Sequence, residues 1–235
     1  MPANASELSA LRTVASRLGE LRREVMFVGG MIRSLLITDA AAPAARATDD
    51  IDLVASIRTH SEYHALSTRL RARGFREDTR EHAPLCRWQV DGLTVDVMPD
   101  HANVLGFSND WYVSAGRTAT WHSIGSRDDE TIRVVDAPHF VATKLASFQG
   151  RGAGDFYHHD VEDIVAVVDG RIELLTEASV APEALREYLA REIEALLAND
   201  SFVDAVPGHL AGDRASQARL PLVLDRLRAL SALVT

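Results

Sequence analysis

The sequence predicts an α/β protein, in which a mixed sheet flanked by helices is followed by a C-terminal helical region. Segments with strand-like alternation recur up to about residue 135, whereas apolar residues follow helical spacing from Asp136 onward. With 235 residues, 46% of them hydrophobic, the chain is long enough to bury a sizeable core. We therefore expect two domains, residues 1–135 and residues 136–235, of which the second is helical.

In the first domain, helical and strand patterns follow one another along the chain. Ser6 is a suitable helix N-cap, and leucine and valine recur after it at helical spacing. Asp91-Gly92 is a hairpin turn signal between two strand-like runs. Helices are predicted at residues 6–22, 31–37 and 61–73. Strands are predicted at residues 25–28, 50–55, 85–90, 93–98, 118–124 and 131–135.

The second domain is predicted to consist of helices. Asp136 is a suitable cap, and Pro138 suits the first turn of the helix that follows. A glycine-rich loop at residues 150–154 and a bend at residues 205–213 interrupt the helical pattern. Helices are predicted at residues 137–149, 155–168, 182–197 and 220–233, with one or two further turns at residues 171–176.

The run Val28-Gly29-Gly30 joins the first predicted strand to a helix. Such a junction leaves backbone N–H groups unpaired at the helix N-terminus, where an anion can bind. Glycine has no Cβ, so the backbone can approach that anion closely. Gly29 and Gly30 are therefore candidate phosphate-binding residues.

Three aspartates are predicted to lie together on one face of the sheet. Asp50 and Asp52 are two positions apart on a strand, so their side chains share a face at a spacing of about 7 Å. Asp96 lies on the second strand of the hairpin, where Val95 and Val97 would face the core and Asp96 the opposite side. Carboxylates and substrate phosphates are ligands that Mg²⁺ prefers. A phosphate cradle beside such carboxylates indicates phosphoryl or nucleotidyl transfer.

The glycine pair, the Asp-Ile-Asp strand and Asp96 together resemble the nucleotidyltransferase superfamily, which has the polymerase-β-like fold. The resemblance implies that Asp50, Asp52 and Asp96 hold two Mg²⁺ ions and that Asp96 helps to activate the attacking hydroxyl. It also implies a nucleoside triphosphate (NTP), such as ATP, as co-substrate. The interval between the glycines and the Asp-Ile-Asp strand is long for this pattern, and we attribute the excess to a loop insertion at residues 39–48.

The segment from Val28 to Leu36 carries a second likeness. It is similar to the Gly-Gly-x-x-Arg segment of CCA-adding enzymes and bacterial poly(A) polymerases. This likeness implies that Arg33, about one helical turn beyond the glycines, binds nucleotide phosphates. A solvent-facing arginine is the alternative.

A third likeness lies in the helical region. Lys144, followed by Arg151-Gly152 and by Asp160 and Asp163, resembles the Lys…Arg-Gly…Asp-x-x-Asp segment of nucleotidyltransferase toxins of abortive-infection (AbiE-type) systems. It implies that Lys144 binds the triphosphate, that Asp160 is its active-site partner, and that the second domain completes the active site. A structural Lys144–Asp160 ion pair between helices is one alternative. A His-Asp phosphohydrolase is another, although it leaves the glycines and the strand aspartates unexplained.

Together these resemblances imply a Mg²⁺-dependent nucleotidyltransferase that moves a nucleotide from an NTP to a hydroxyl acceptor. The AbiE-type likeness implies a toxin of a toxin–antitoxin or abortive-infection system, which acts on a tRNA end or another cellular target and has an antitoxin as its partner. Two alternatives stay open: a small-molecule, antibiotic-type nucleotidyltransferase, and a non-catalytic module that binds a nucleotide or a protein. A housekeeping tRNA nucleotidyltransferase is less favoured, because no Arg-Arg-Asp-type segment follows the Asp-Ile-Asp strand.

Composition limits the partners and the compartment. The net charge of −9 argues against a broad nucleic-acid-binding surface. Five arginines between residues 69 and 80 leave a local basic patch open, but a solvated helix end and turn is the favoured interpretation of this segment. No segment approaches the roughly 20 apolar residues of a membrane helix, and no leader pattern stands at the N-terminus. The single cysteine, Cys86, excludes an intramolecular disulfide and is expected to pack in a strand. We expect a cytoplasmic protein with no membrane partner.

Overall fold

The computed structural model describes residues 5–43, 48–127, 130–152 and 154–234. The predicted loops at residues 39–48 and 150–154 therefore lie partly outside the described residues, as does the N-terminal segment in which no leader was expected. The described residues divide into two compact units. We call residues 5–32 and 48–136 the sheet unit, and residues 33–43 and 137–234 the helical unit. Residues 33–43 thus group with the helical residues, and the single domain boundary after residue 135 stays a prediction.

Seven strands form one mixed sheet in the sheet unit. They are β1 (Val25–Val28), β2 (Asp50–Ala55), β3 (Arg76–Glu77), β4 (Arg87–Val90), β5 (Leu93–Pro99), β6 (Thr120–Ser123) and β7 (Thr131–Val134). Their order in the sheet is β3-β4-β5-β2-β1-β7-β6. The pairs β2–β5 and β1–β7 are parallel, and the other neighbours are antiparallel.

Helices precede, interrupt and follow these strands. In chain order they are α1 (Ala5–Leu18), α2 (Arg33–Leu36), α3 (His60–Arg71), α4 (Ala102–Leu105), α5 (Tyr112–Thr118), α6 (Ala137–Ser147), α7 (His159–Gly170), α8 (Leu174–Ser179), α9 (Glu183–Leu197), α10 (Asp200–Ala205), α11 (Arg214–Gln217) and α12 (Leu220–Ser231). Short 3₁₀ turns occupy Gly19–Arg23, Gly30–Ile32 and Val206–His209, and a π-type turn occupies Phe148–Gly152. The predicted class, an α/β fold with a mixed sheet, flanking helices and a C-terminal helical region, is confirmed.

The sheet separates an apolar face from a polar one. Ile51, Leu53, Val95, Val97 and Trp88 alternate with polar residues along β2, β5 and β4, and each is at most 1% exposed. Burial of one face fixes the strand register, because a slip of one residue would turn this apolar set toward the polar side. The same alternation leaves the polar residues of these strands together on the opposite face.

The hairpin between β4 and β5 forms as the sequence predicts. Asp91 and Gly92 have φ values of 48° and 79°, the positive values that a tight two-residue hairpin turn requires. The turn pairs Val90 with Leu93, and this fixes every pair farther along the two strands. β4 begins at Arg87, two residues later than predicted, because a turn in which the Arg87 N–H donates to the Pro84 carbonyl precedes it.

In the helical unit, α6 packs against α7 and α9, and α12 packs against α7 and α9. α7 begins at His159, four residues later than predicted. The Asp155 carboxylate accepts a hydrogen bond from the Tyr157 N–H at 3.0 Å, and this local turn competes with helix formation. His158 then caps the helix, its ring Nδ1 accepting from the Asp160 N–H. No helix among the described residues is long and apolar enough to cross a membrane.

Candidate active site

Asp50, Asp52 and Asp96, the three predicted metal-binding aspartates, come together on the polar face of the sheet. β2 and β5 are parallel neighbours, and Asp52 pairs with Asp96 in their register. Asp50 is two positions from Asp52 and therefore shares its face. One carboxylate oxygen of each aspartate lies within 4.8 Å of the others. These oxygens are hard ligands at a spacing that suits Mg²⁺, so the residues present fit the predicted metal.

Gly29, the first of the predicted phosphate-binding glycines, lies directly beneath the Asp52 side chain. A Cβ placed on Gly29 would lie 1.9 Å from the Asp52 Oδ2, and the Gly29 φ of +74° also disfavours other residues. The antiparallel register of β1 and β2, which pairs Val28 with Asp52, produces this approach. Glycine at this position therefore makes room for an aspartate of the cluster. Gly30 begins the 3₁₀ turn Gly30–Ile32, and the phosphate-binding role of both glycines stays a prediction.

Arg87 belongs to the same cluster, although it was not among the site residues predicted from the sequence. Its Nε and Nη2 donate to the two carboxylate oxygens of Asp96 at 2.8 and 2.7 Å, and its Nη2 lies 3.8 Å from Asp50 Oδ2. These hydrogen bonds with Asp96 raise the pKa of Arg87 above its already high usual value. The signal was present in the sequence: a two-residue Asp91-Gly92 turn pairs Val90 with Leu93, and counting back three pairs places Arg87 opposite Asp96.

Exposure differs among the members of the cluster. The Asp50 side chain is 42% exposed, whereas that of Asp96 is 11% exposed and that of Arg87 26%. Asp50 Oδ1 also accepts from the Thr48 hydroxyl at 3.1 Å. The cluster is therefore open to solvent at Asp50 and nearly closed at Asp96.

The helical unit contains a second set of charged residues, which we call the buried ion cluster: Arg33, Lys144, Asp160 and Asp163. The Lys144 Nζ lies 3.0 Å from Asp160 Oδ1 and 2.6 Å from Asp163 Oδ2. The Arg33 guanidinium donates to Asp163. Each of the four residues is at most 7% exposed. Charges buried to this extent persist because they are paired.

The buried ion cluster bears on three sequence predictions. The expected pairing of Lys144 with Asp160 is present, and Asp163 shares the same ammonium group. Arg33 is 1% exposed, so the solvent-facing alternative for this residue is wrong. The triphosphate-binding roles of Lys144 and Arg33, and the active-site role of Asp160, stay predictions.

Asp160 also forms an ion pair with Arg151, which is not a member of the buried ion cluster. Arg151 donates to both of its carboxylate oxygens at 3.1 Å. Burial acts most strongly on Asp160 and favours the neutral acid, but the Arg151 hydrogen bonds and the Lys144 charge together outweigh it, and the pKa of Asp160 is lowered. Likewise, burial opposes the charged form of Lys144, yet Asp163 and Asp160 raise the pKa of Lys144.

His158, His159 and Asp160 form the second group whose ligand atoms lie within 4.8 Å of one another. Asp160 already binds Lys144 and Arg151, and the His158 Nδ1 already accepts from the Asp160 N–H. Burial, the largest influence, lowers the pKa of His159. This group is therefore a less suitable cation site than the three aspartates of the sheet.

The arginine-rich segment between residues 69 and 80 forms local ion pairs. Arg69 binds Glu24, Arg71 binds Glu77 and Arg80 binds Asp78. These acidic partners offset the positive charge that a nucleic-acid-binding patch would need. The segment behaves as a charged, solvated surface.

Comparison with known proteins gives fold likenesses at low identity. A Paracoccidioides brasiliensis antigenic nucleotidyltransferase-like protein has 17% identity and a TM-score of 0.48, over 88% of this chain and 94% of that one. ANT(2")-Ia, in a crystal structure with adenylyl-2"-tobramycin, has 12% identity and a TM-score of 0.47, over 81% of this chain and 99% of that one. A solution structure of ANT(2'')-Ia gives 14% identity and a TM-score of 0.47, over 86% and 97%.

Neither protein-family models nor the curated proteins provide a match to this chain. These three solved structures are a nucleotidyltransferase-like protein and two structures of ANT(2'')-Ia. At such low identity and TM-score, these likenesses assign no activity to this chain.

Proposed function

We propose that the chain is a Mg²⁺-dependent nucleotidyltransferase that moves a nucleotide from an NTP to a hydroxyl acceptor. The observation that carries this proposal is the meeting of Asp50, Asp52 and Asp96 on one sheet face, with their oxygens within 4.8 Å of one another. The close approach of Gly29 to Asp52 adds to it, because the sequence keeps a glycine where any side chain would displace the aspartate.

In this proposal each residue has a defined task. Asp50 and Asp52 hold the divalent cation, and Asp96 accepts the proton of the acceptor hydroxyl. The hydroxyl oxygen then bonds to the α-phosphorus, the bond from that phosphorus to the β-phosphate oxygen breaks, and pyrophosphate leaves. Bound Mg²⁺ supplies charge neutralisation at the phosphates. Gly29 and Gly30 cradle the phosphates, and Lys144 with Arg33 neutralises the triphosphate, as the family likenesses imply.

Two classes of hydroxyl acceptor are candidates. The AbiE-type likeness supports a toxin-like enzyme that modifies a tRNA end or another cellular target and has a cognate antitoxin. A small-molecule acceptor is the second candidate. The net charge of −9 and the ion-paired arginines between residues 69 and 80 favour it, since both weaken attraction to a polyanion.

The test is a transfer assay with matched variants. Wild type, Asp52→Asn and Asp91→Asn would each be incubated with Mg²⁺ and α-labelled NTPs, with total tRNA, cell protein or aminoglycosides as acceptors. Asp91 is a suitable control because it belongs to the same unit and asparagine tolerates its φ of 48°. The expected result is transfer by wild type and Asp91→Asn and loss of transfer in Asp52→Asn.

The acceptor that gains label separates the candidates. Label on tRNA or protein supports the toxin-like enzyme, and label on an aminoglycoside supports the small-molecule enzyme. Transfer retained by Asp52→Asn would contradict the site. An absence of transfer by wild type, with tight NTP binding in both wild type and Asp52→Asn, would instead identify a non-catalytic binding module.

A further inference from the structure

Arg87 occupies a defined place in the sheet beside the three aspartates. β4 pairs Arg87 with Asp96, and β5 pairs Asp96 with Asp52, so the three residues form one row across three strands. Directly paired residues on neighbouring strands share a sheet face. The position of the guanidinium therefore follows from strand register and does not depend on a loop.

The contact between Arg87 and Asp96 is two-pronged. Nε donates to Oδ1 at 2.8 Å and Nη2 donates to Oδ2 at 2.7 Å, so both oxygens of Asp96 are engaged at once. A planar guanidinium bound in this way fixes the orientation of the carboxylate and adds electrostatic stabilisation. Since the Asp96 side chain is only 11% exposed, water contributes little to its solvation.

The same guanidinium bears on the binding of a divalent cation. Arginine keeps its charge at every accessible pH, and Nη2 also lies 3.8 Å from Asp50 Oδ2. A fixed positive charge thus lies among the carboxylates that would hold the metal. Each carboxylate oxygen has a second lone pair for a metal ion, but the guanidinium and the ion would then repel each other at short range.

We propose that Arg87 is the positioning residue of this aspartate cluster: it orients Asp96 and supplies the counter-charge of the metal-free site, so that a divalent cation binds in competition with it. The inference rests on the proposed function only in requiring that the three aspartates bind a divalent cation. Arg87 need not touch substrate to act in this way.

The test compares Mn²⁺ binding to wild type, Arg87→Gln and Arg17→Gln. Arg17 is the matched control, because it also makes a two-pronged bond to an aspartate of the sheet unit, Asp91, at 2.7 and 2.9 Å. Mn²⁺ affinity would be measured by titration calorimetry on the full chain. Thermal unfolding midpoints would be recorded with and without Mn²⁺.

Loss of the competing charge should raise Mn²⁺ affinity in Arg87→Gln on the order of tenfold, since a single charge a few ångströms from a divalent ion accounts for an effect of that size. Without metal, the thermal unfolding midpoint of Arg87→Gln should fall, because Asp96 and Asp50 lose the positive charge beside them. Mn²⁺ should then raise the thermal unfolding midpoint of Arg87→Gln by more than it raises that of wild type. Arg17→Gln should bind Mn²⁺ as wild type does.

An unchanged or weaker Mn²⁺ affinity in Arg87→Gln, with equal loss of stability in the presence and absence of Mn²⁺, would show a merely structural arginine and overturn the inference. Failure of wild type itself to bind Mn²⁺ would refute the metal site, and with it the proposed function. These two failures are distinguishable because wild type is measured first.

Arg87→Lys keeps the test decisive if Arg87→Gln does not fold. Lysine retains the charge but gives up the two-pronged geometry, so the ion competes with a more flexible group. Its Mn²⁺ affinity should rise a few-fold over wild type. An affinity equal to or below that of wild type would overturn the inference.

Discussion

The Asp52 carboxylate lies over the backbone of Gly29, so closely that a Cβ on Gly29 would lie 1.9 Å from Oδ2 and 2.7 Å from Cγ. No side chain fits there unless Asp52 moves. The glycine after β1 and the aspartate in β2 are therefore parts of one arrangement, even though more than twenty residues separate them in the sequence.

Gly29→Ala should displace Asp52 and disable the cluster. Two costs add: strain at a φ of +74°, about 1–2 kcal/mol, and overpacking against Asp52, typically 1–3 kcal/mol. We expect the variant to unfold at lower urea concentration and to lose Mn²⁺ binding and nucleotide transfer. Urea unfolding and the transfer assay measure the two effects separately.

Gly74→Ala is the control for backbone strain. Gly74 has a φ of +88°, but a Cβ there would meet nothing within 4 Å. Gly74→Ala should therefore lose stability through backbone strain alone, by about 1–2 kcal/mol, and it should keep Mn²⁺ affinity and transfer. Equal effects of both substitutions on Mn²⁺ binding would show that the Gly29–Asp52 contact has no role in the site.

Local sequence pattern predicted the sheet side of the site well. Alternation places Asp50 and Asp52 on one face, and the Asp91-Gly92 turn delivers Asp96 beside them. Both signals span only a few residues, and buried apolar partners on the opposite face reinforce them. β3 escaped prediction, because two residues are too few to show alternation.

Local sequence patterns could not predict contacts between segments that are distant in the sequence. The Arg33–Asp163 pair joins residues 130 positions apart, and nothing near Arg33 in the sequence indicates a buried carboxylate partner. The predicted start of α7 was also wrong, because residues 155–158 resemble a helix in composition but form a turn, in which the His158 N–H donates to the Asp155 carbonyl and the Tyr157 N–H donates to the Asp155 carboxylate. The AbiE-type likeness identified Lys144 and Asp160 as candidate site residues. It did not predict that both are buried, because their burial results from the packing of α6 against α7.

Cys86 should be unreactive in the folded protein. It is 3% exposed, and burial, together with the nearby Asp96 charge, raises the pKa of its thiol to about 12. The thiolate is the reactive form, so very little of it exists at pH 8. Ellman's reagent at pH 8 should label Cys86 only after unfolding in urea. Complete labelling of native protein within a minute would contradict the burial of this residue.

Asp160 should make folding sensitive to acid. Its pKa is lowered from 3.8, because hydrogen bonds from Arg151 and the charge of Lys144 outweigh the effect of burial. A lowered pKa in the folded state contributes stability that is present above pH 3.8 and is lost as pH falls through the folded-state pKa. Urea unfolding of wild type and Asp160→Asn between about pH 6 and pH 2.5 measures this contribution.

The stability advantage of wild type over Asp160→Asn should therefore be constant near neutrality and shrink only below about pH 4. The other carboxylates titrate in both proteins, so their contributions cancel in the difference between the two unfolding free energies. An advantage that instead grows as pH falls from 7 to 5 would mean that the pKa of Asp160 is raised, and would contradict the pairing with Arg151 and Lys144.

Replacement of Lys144 can separate stability from substrate binding. Lys144→Met leaves Asp160 and Asp163 close together without the ammonium between them, and breaking a buried ion pair in this way costs about 3 kcal/mol. Adding Asp160→Asn removes the excess negative charge and leaves the Arg33–Asp163 pair intact, so at least half of the lost stability should return. Urea unfolding measures both steps, and Arg228→Ala, which breaks an exposed pair, should cost at most about 0.5 kcal/mol.

NTP binding by the double variant then tests the role that the AbiE-type likeness assigns to Lys144. A triphosphate ligand is lost whether or not stability is restored, so NTP affinity should stay on the order of tenfold below wild type. Wild-type affinity in the restabilised double variant would show that Lys144 and Asp160 act only as a structural pair between α6 and α7. It would leave the proposal resting on the three aspartates of the sheet unit, whose contribution is measured independently by Asp52→Asn.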